Sequence, residues 1–458
     1  MRPEISRSVA PRPAPHQQYA PIPRPSRPDR SLYPGEPDTC RRHLMRFLAI
    51  WGHLALLLAV LLVYRVEGRA FQRLVGLALA VLPAHYLLPF GWKKPLLVVT
   101  TVGGLIWVFG AAVSAMVLPL AFLLIGVCFL PISWWGRASL IGATGVALAA
   151  ARACFAGPVV DCVWPLLATM FMFRMIVYLY ELKHAEKSET LIDTLSYFFL
   201  LPNYCFLHFP VVDYRTFQRG YFAGEVHAVQ RTGLQMMFRG TIHLLLYRLV
   251  YHELLIPAHD VHNLASLAGY LVCNYLLYLR VSGQFHMACG MLHLFGFQLP
   301  ETHRNYLLAT GFTDYWRRIN IYWKDFMVRV VFNPVVFRLK KWPQPVALAV
   351  ATAVVFVVTW LLHAYQSFWL RATWGFTLHD ALFWGILGLL VMVNVQLDAR
   401  APQGRSRKSL DHSPRALAVR TFKITATFTT IALLWSLWSS PTVLDWLSML
   451  RRGLTLGD

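Results

Sequence analysis

Residues 346–369 read VALAVATAVVFVVTWLLHAYQSFW, an apolar run that no Asp, Glu, Lys or Arg interrupts. At about 1.5 Å per residue such a helix outreaches the ~30 Å hydrocarbon core of a bilayer, so the run reads as a membrane span. A single histidine, His363, sits near its end. Holding an ionisable group in or at the edge of a span is costly, which makes His363 a functional candidate. Immediately upstream, residues 312–341 read FTDYWRRINIYWKDFMVRVVFNPVVFRLKK. Trp316, Arg317, Arg318, Asn320, Trp323, Lys324 and Asp325 crowd there into one turn-rich, aromatic and charged patch.

The same kind of run recurs along the chain, at about 44–64, 71–91, 95–112, 114–132, 137–155, 159–181, 233–256, 262–280, 284–298, 379–397 and 418–438. Hydrophobic residues make up 57% and charged residues 14%, the balance of a polytopic membrane protein. The expected fold is all-α, with about ten to twelve crossings. Residues 1–40 form a Pro/Arg-rich tail too poor in aliphatic clusters to fold, without the apolar core of a signal peptide. A transmembrane domain fills 41–440, and 441–458 is a short C-terminal tail. Basic loops such as GWKK at 91–94 and WGRAS at 135–139 recur on one side, so the positive-inside rule puts the N-terminus in the cytoplasm. The net charge of +21 belongs to those loops, and no soluble basic module is available for nucleic acid.

One stretch breaks the pattern. Leu191 to Phe217 is apolar but interrupted by Pro202, Asn203, His208, Pro210 and Asp213. Two prolines eight apart do not fit one straight helix, and broken backbone survives at membrane depth only against protein or a water-filled cavity. A re-entrant or broken element is expected, an interfacial loop being the plainer alternative. Cys154 and Cys162 flank the loop FAGPVVD, where two free thiols are expected and a disulfide is the other outcome.

The chain has no phosphate-binding glycine loop, HExxH or GxSxG, and no carboxylate cluster for a metal. What remains is His363, Asn320 and the basic aromatic patch. A neutral imidazole in a low-dielectric cavity can take a proton from a hydroxyl, letting its oxygen attack a thioester. Asn320 could orient the acyl carbonyl or steady the developing oxyanion, and Arg317, Arg318 and Lys324 could hold an anionic donor. A packing histidine is the competing account of His363.

Several blocks, in order, are similar to a known family. The stretch YLRVSGQFHMACGMLHLFGFQLPETHRNYLLATGFTDYWRRIN carries Ser282, Gly283, Gly290, Gly296, Leu299, Pro300, Glu301, Asp314, Trp316, Arg317 and Arg318. Trp323, Asp325 and Phe326 continue it, His363 matches a histidine-bearing helix, and HDALFWGILGLLVMVN the segment after it. YFFLLPNYCFLHFPVVDYRTF precedes them. Together they resemble the membrane-bound O-acyltransferases, in the bacterial branch of alginate O-acetylases and D-alanyl-lipoteichoic acid transferases. The chain departs from that pattern in placing Trp360 three residues before the histidine, Asn320 where the branch often has histidine, and Gln284 and His286 after the Ser-Gly pair.

The resemblance implies helices around a central tunnel, where a cytoplasmic thioester donor, acyl-CoA or an acyl carrier, meets a hydroxyl acceptor. An acyl group such as acetyl would pass to an exported polysaccharide, a lipid-linked glycan or a carrier protein, with a periplasmic relay protein as a further partner and no bound cofactor. A bacterial inner membrane is the implied setting. The implied catalytic residues are His363, as the base, and Asn320, as its orienting partner; Trp316, Arg317, Arg318, Trp323, Lys324 and Asp325 are the implied substrate-binding ones. The rival is a non-catalytic transporter or lipid-binding scaffold on the same fold.

Overall fold

The structure is a computed structural model, and it describes residues 37–183, 190–201, 212–400 and 413–455. The Pro/Arg-rich tail expected at 1–40 lies almost wholly outside those residues, as do Pro202, Asn203, His208 and Pro210.

Helices account for every regular element among the described residues. With no water in the hydrocarbon to take up N–H and C=O groups, intrahelical bonding is the open route for these apolar runs. The first five are α1 (Pro37–Val63), α2 (Arg69–Leu87), α3 (Phe90–Cys128), α4 (Trp134–Cys154) and α5 (Pro158–Leu182). The broken stretch gives two short pieces, α6 (Leu191–Phe198) and α7 (Tyr214–Gly220). Then come α8 (Val226–Leu249), α9 (Leu264–Leu276) and α10 (Leu279–Leu294). The patch folds as α11 (Phe312–Arg318), α12 (Ile321–Met327) and α13 (Asn333–Arg338). The chain closes with α14 (Gln344–Arg371), α15 (Leu378–Arg400), α16 (Pro414–Ser439) and α17 (Val443–Leu454).

Among the described residues, eight helical stretches are long and apolar enough to cross a membrane, so the protein is a multi-pass integral membrane protein. One of them, α3, has 39 residues, nearly twice a bilayer's need. It breaks at Gly110, whose φ of 85° leaves the helical region, so its two halves are separate runs, as the sequence indicates. The runs expected at 262–280 and 284–298 instead form one stretch, Leu264–Leu294, turning only slightly at Leu277 and Tyr278. Both α4, with 21 residues, and α8, with 24, have the length of a span but more polar faces. The 441–458 segment carries α17, which seats Met449 and Gly453 against Leu267 and Val261.

Burial sorts the helices. In α5, 78% of the apolar window is buried, against 22–39% in the other spans, so α5 runs through the middle and the rest surround it. The most extensive helix pair is α8 with α10. A Cβ on Gly290 would lie 2.5 Å from the Gly233 carbonyl oxygen, and one on Gly240 would lie 2.8 Å from that of Gly283. The two main chains therefore touch at two points, as small residues allow in a membrane where packing rather than water expulsion drives association.

Candidate active site

Between α5, α10, α11, α12, α14, α15 and α16 lies a cavity of about 180 Å³. That is room for a short acyl chain or a few waters. Phe173, Tyr278, Tyr315, Trp316, Trp323, Phe383, Trp384 and Trp438 make its wall mainly aromatic. Its polar groups come from Arg174, Asn320, Lys324, His363 and Gln366, with Thr169, and no carboxylate lines it.

His363 and Asn320, 43 positions apart by number, both face this cavity. The imidazole Nδ1 lies 2.8 Å from the main-chain oxygen of Thr359, one turn earlier on α14. A carbonyl only accepts, so Nδ1 carries the proton and, in the neutral ring, Nε2 is left with its lone pair. No protein group bonds Nε2 among the described residues. Three indoles enclose the ring: Trp384 at 4.6 Å between centroids, Trp323 at 5.0 Å and Trp438 at 6.5 Å. Trp438 is itself fixed, its Nε1 donating to Asp380 Oδ1 at 2.6 Å.

Asn320 occupies the left-handed region, φ 37° and ψ 66°, and starts α12. Asparagine tolerates that conformation because its short polar side chain bonds locally. Its Oδ1 accepts from the Trp323 main-chain N–H at 3.3 Å, capping the helix. Among the described residues no hydrogen bond joins the expected orienting residue Asn320 to His363: the amide oxygen accepts from Trp323, and the imidazole is held by Thr359 on its own helix. The Asn320 amide NH2 remains as the group able to donate into the cavity.

The patch divides. Trp316, Trp323 and Lys324 reach the wall, while Arg317, Arg318 and Asp325 do not. Arg317 is exposed. Arg318 Nε binds Asp314 Oδ1 at 2.7 Å, one helical turn away, and Lys324 Nζ binds Asp325 Oδ1 at 2.5 Å. Burial pushes the Asp314 carboxyl up, but bonds from Arg318 and Thr310 together outweigh it and hold it below the ordinary carboxylate value. A common cradle of Arg317, Arg318 and Lys324 for one anion is thus not what the side chains form. The left-handed turn at Asn320 sets Lys324 on α12 apart from the two arginines, and on α11 Asp314 draws Arg318 aside while Arg317 is exposed.

Arg174 joins the wall from α5, its guanidinium 4.4 Å from the Tyr197 ring centre. It is legible in the sequence as a charge inside an apolar run. Gln366, one turn beyond His363, and Trp438, on the last span, carry no such signal. Trp360 turns away and donates to the Gly375 carbonyl at 3.3 Å. Behind Tyr278 and Phe285, His303 accepts or donates at Tyr278 Oη (3.0 Å) and stacks on His286 at 5.9 Å between centroids. Burial, then the neighbouring imidazoles of His286 and His243, keep His303 well below the ordinary histidine value and therefore neutral. Cys154 and Cys162 are free and exposed. Among the described residues no group of three or more His, Cys, Asp or Glu could hold a metal ion.

No protein-family profile matches the chain, and no curated protein matches it.

Proposed function

We propose that the protein is a membrane O-acyltransferase, of the membrane-bound O-acyltransferase kind that its sequence blocks resemble. It moves an acyl group such as acetyl from a cytoplasmic thioester to a hydroxyl of an exported polysaccharide, lipid-linked glycan or carrier protein. The observation that carries this reading is the shared cavity, where His363 has Nδ1 blocked and Nε2 open, facing the same space as Asn320.

In that arrangement Nε2 takes the acceptor hydroxyl proton as the oxygen attacks the thioester carbonyl carbon. The new C–O bond leaves a tetrahedral oxyanion, to which the Asn320 amide N–H donates. Collapse breaks the C–S bond, and the imidazolium returns the proton to the departing thiolate. Aromatic walls exclude bulk water, which protects the thioester from hydrolysis and strengthens the hydrogen bond to the oxyanion. Neither Asn320 nor any described acid bonds the imidazole, so the base works as a lone histidine held by its main chain.

The test is thiol release from an acetyl thioester by purified full-length protein, with glycan acceptors supplied. His363→Ala should lower turnover by about 10²–10⁴. Undiminished turnover in that variant refutes the base. A wild-type protein that turns over no thioester favours the transporter or lipid-binding scaffold.

A further inference from the structure

A second cavity, of about 460 Å³, opens at the start of α16. Thr310 forms one side of it, and Arg415, Arg420 and Lys423 the other. Ala416, Val419 or Arg420, and Lys423 recur at three to four positions, so they share one face of the helix. All three cations are exposed, and none is within ion-pair distance of an acid among the described residues. The contrast with the nearby patch is sharp: Arg318 and Lys324 each already hold an aspartate. Three like charges converging on a concave surface repel one another and raise the local concentration of anions. A ligand with two or more negative charges and several acceptor oxygens offsets that repulsion, and phosphate oxygens suit the arginines best.

This cavity also has a fixed relation to the aromatic one. Thr310 donates from its main-chain N–H (3.0 Å) and its hydroxyl (3.2 Å) to Asp314 Oδ2. Asp314 lies on α11, whose Tyr315 and Trp316 line the aromatic cavity. The second cavity is thus tied through Thr310 to the helix that borders the first.

We propose that the cavity of Arg415, Arg420, Lys423 and Thr310 binds a phosphate-bearing group. Two sources share that chemistry: the phosphorylated head of a soluble thioester donor, and the headgroup of an anionic lipid at the membrane surface. Binding is measured on the full chain in neutral detergent, with inorganic pyrophosphate by calorimetry and phosphatidylglycerol by native mass spectrometry. Wild-type protein should bind one or both probes, with affinity falling as salt rises. The triple variant Arg415→Gln, Arg420→Gln, Lys423→Gln should weaken binding at least about tenfold, since each basic side chain near a charged surface contributes about 1 kcal/mol. The charge-keeping variant Arg415→Lys, Arg420→Lys should bind more tightly than the triple variant, and a triple-variant melting temperature in detergent close to the wild type's separates lost binding from misfolding. Pyrophosphate binding alone assigns the soluble head; lipid binding alone assigns the headgroup. Failure of the wild type to bind either probe, or undiminished binding by the triple variant, overturns the proposal. His363→Ala should leave binding unchanged, so this site can fail while acyl transfer stands, or stand while it fails.

Discussion

The side chain of His363 is held by the main-chain oxygen of Thr359 at 2.8 Å, one turn behind it on the same helix. Its tautomer is thus set within α14 and needs no residue from the facing patch. That frees Asn320 to act in two ways. It turns the chain from α11 into α12, and it offers an N–H pair to the cavity.

Those two roles separate by substitution. Asn320→Gly keeps the left-handed turn and, as a cap, costs only a few tenths of a kcal/mol. Asn320→Ala loses the cap and strains the backbone, for about 2 kcal/mol in all. If the amide donates to the oxyanion, Asn320→Gly melts close to the wild type yet turns over about 10²–10³ times more slowly. A folded, fully active Asn320→Gly would reduce Asn320 to a cap. Melting in detergent and thiol-release kinetics decide it.

Trp384 is buried, lines the cavity and lies 4.6 Å from the His363 ring. Trp384→Leu should therefore make room for longer acyl chains. The ratio of kcat/KM for a longer acyl thioester over acetyl should rise about tenfold, the scale of one methylene in an apolar pocket. An unchanged ratio places the acyl chain elsewhere.

At the α8–α10 contact even a methyl group has no space. Gly290→Val should destabilise by about 1–3 kcal/mol or prevent folding, because the obstruction is main chain rather than a flexible side chain. Gly269, with nothing near its Cβ position, is the control: Gly269→Ala should melt within about 0.5 kcal/mol of the wild type.

Buried, neutral His303 makes stability depend on pH, with a definite sign. Its folded value lies well below the ordinary 6.5, so below that pH the unfolded chain takes up a proton that the folded one does not. Stability therefore falls as pH drops through about 6.5 and keeps falling, by up to about 1.4 kcal/mol per pH unit, until the folded value is reached. His303→Gln removes this group. Between pH 6.5 and 4.5 its melting temperature should vary less than the wild type's, and parallel curves would refute the assignment.

Fold class was legible because apolar runs of bilayer length announce themselves without any long-range information. The break in α3 was legible for the same reason, 39 residues being too many for one crossing. The continuity of 264–294 was not, since the turn at Leu277 has no proline or glycine to mark its mildness. In the site, His363, Asn320, Trp316, Trp323 and Lys324 were readable as unusual residues for a membrane chain, and all reach one cavity. That neither Arg317 nor Arg318 reaches the cavity was not readable. Arg317 and Arg318 are adjacent in sequence, and the winding of α11, with Asp314 one turn back to capture Arg318, decides their directions. Trp438 and Gln366 look like ordinary span residues until helices remote in sequence converge.

The glycine contacts between α8 and α10 also bear on how the cavity can change shape. Side chains between helices adjust by switching rotamer, so most helix pairs can slip a little at low cost. Here main chain meets main chain at two points, seven residues apart on each helix, and there is nothing to switch. The pair behaves as a fixed rail carrying Phe285 of the cavity wall and ending beside Tyr278. Volume gained on admitting a substrate must then come from the opposite wall, where α15 and α16 are among the least buried spans.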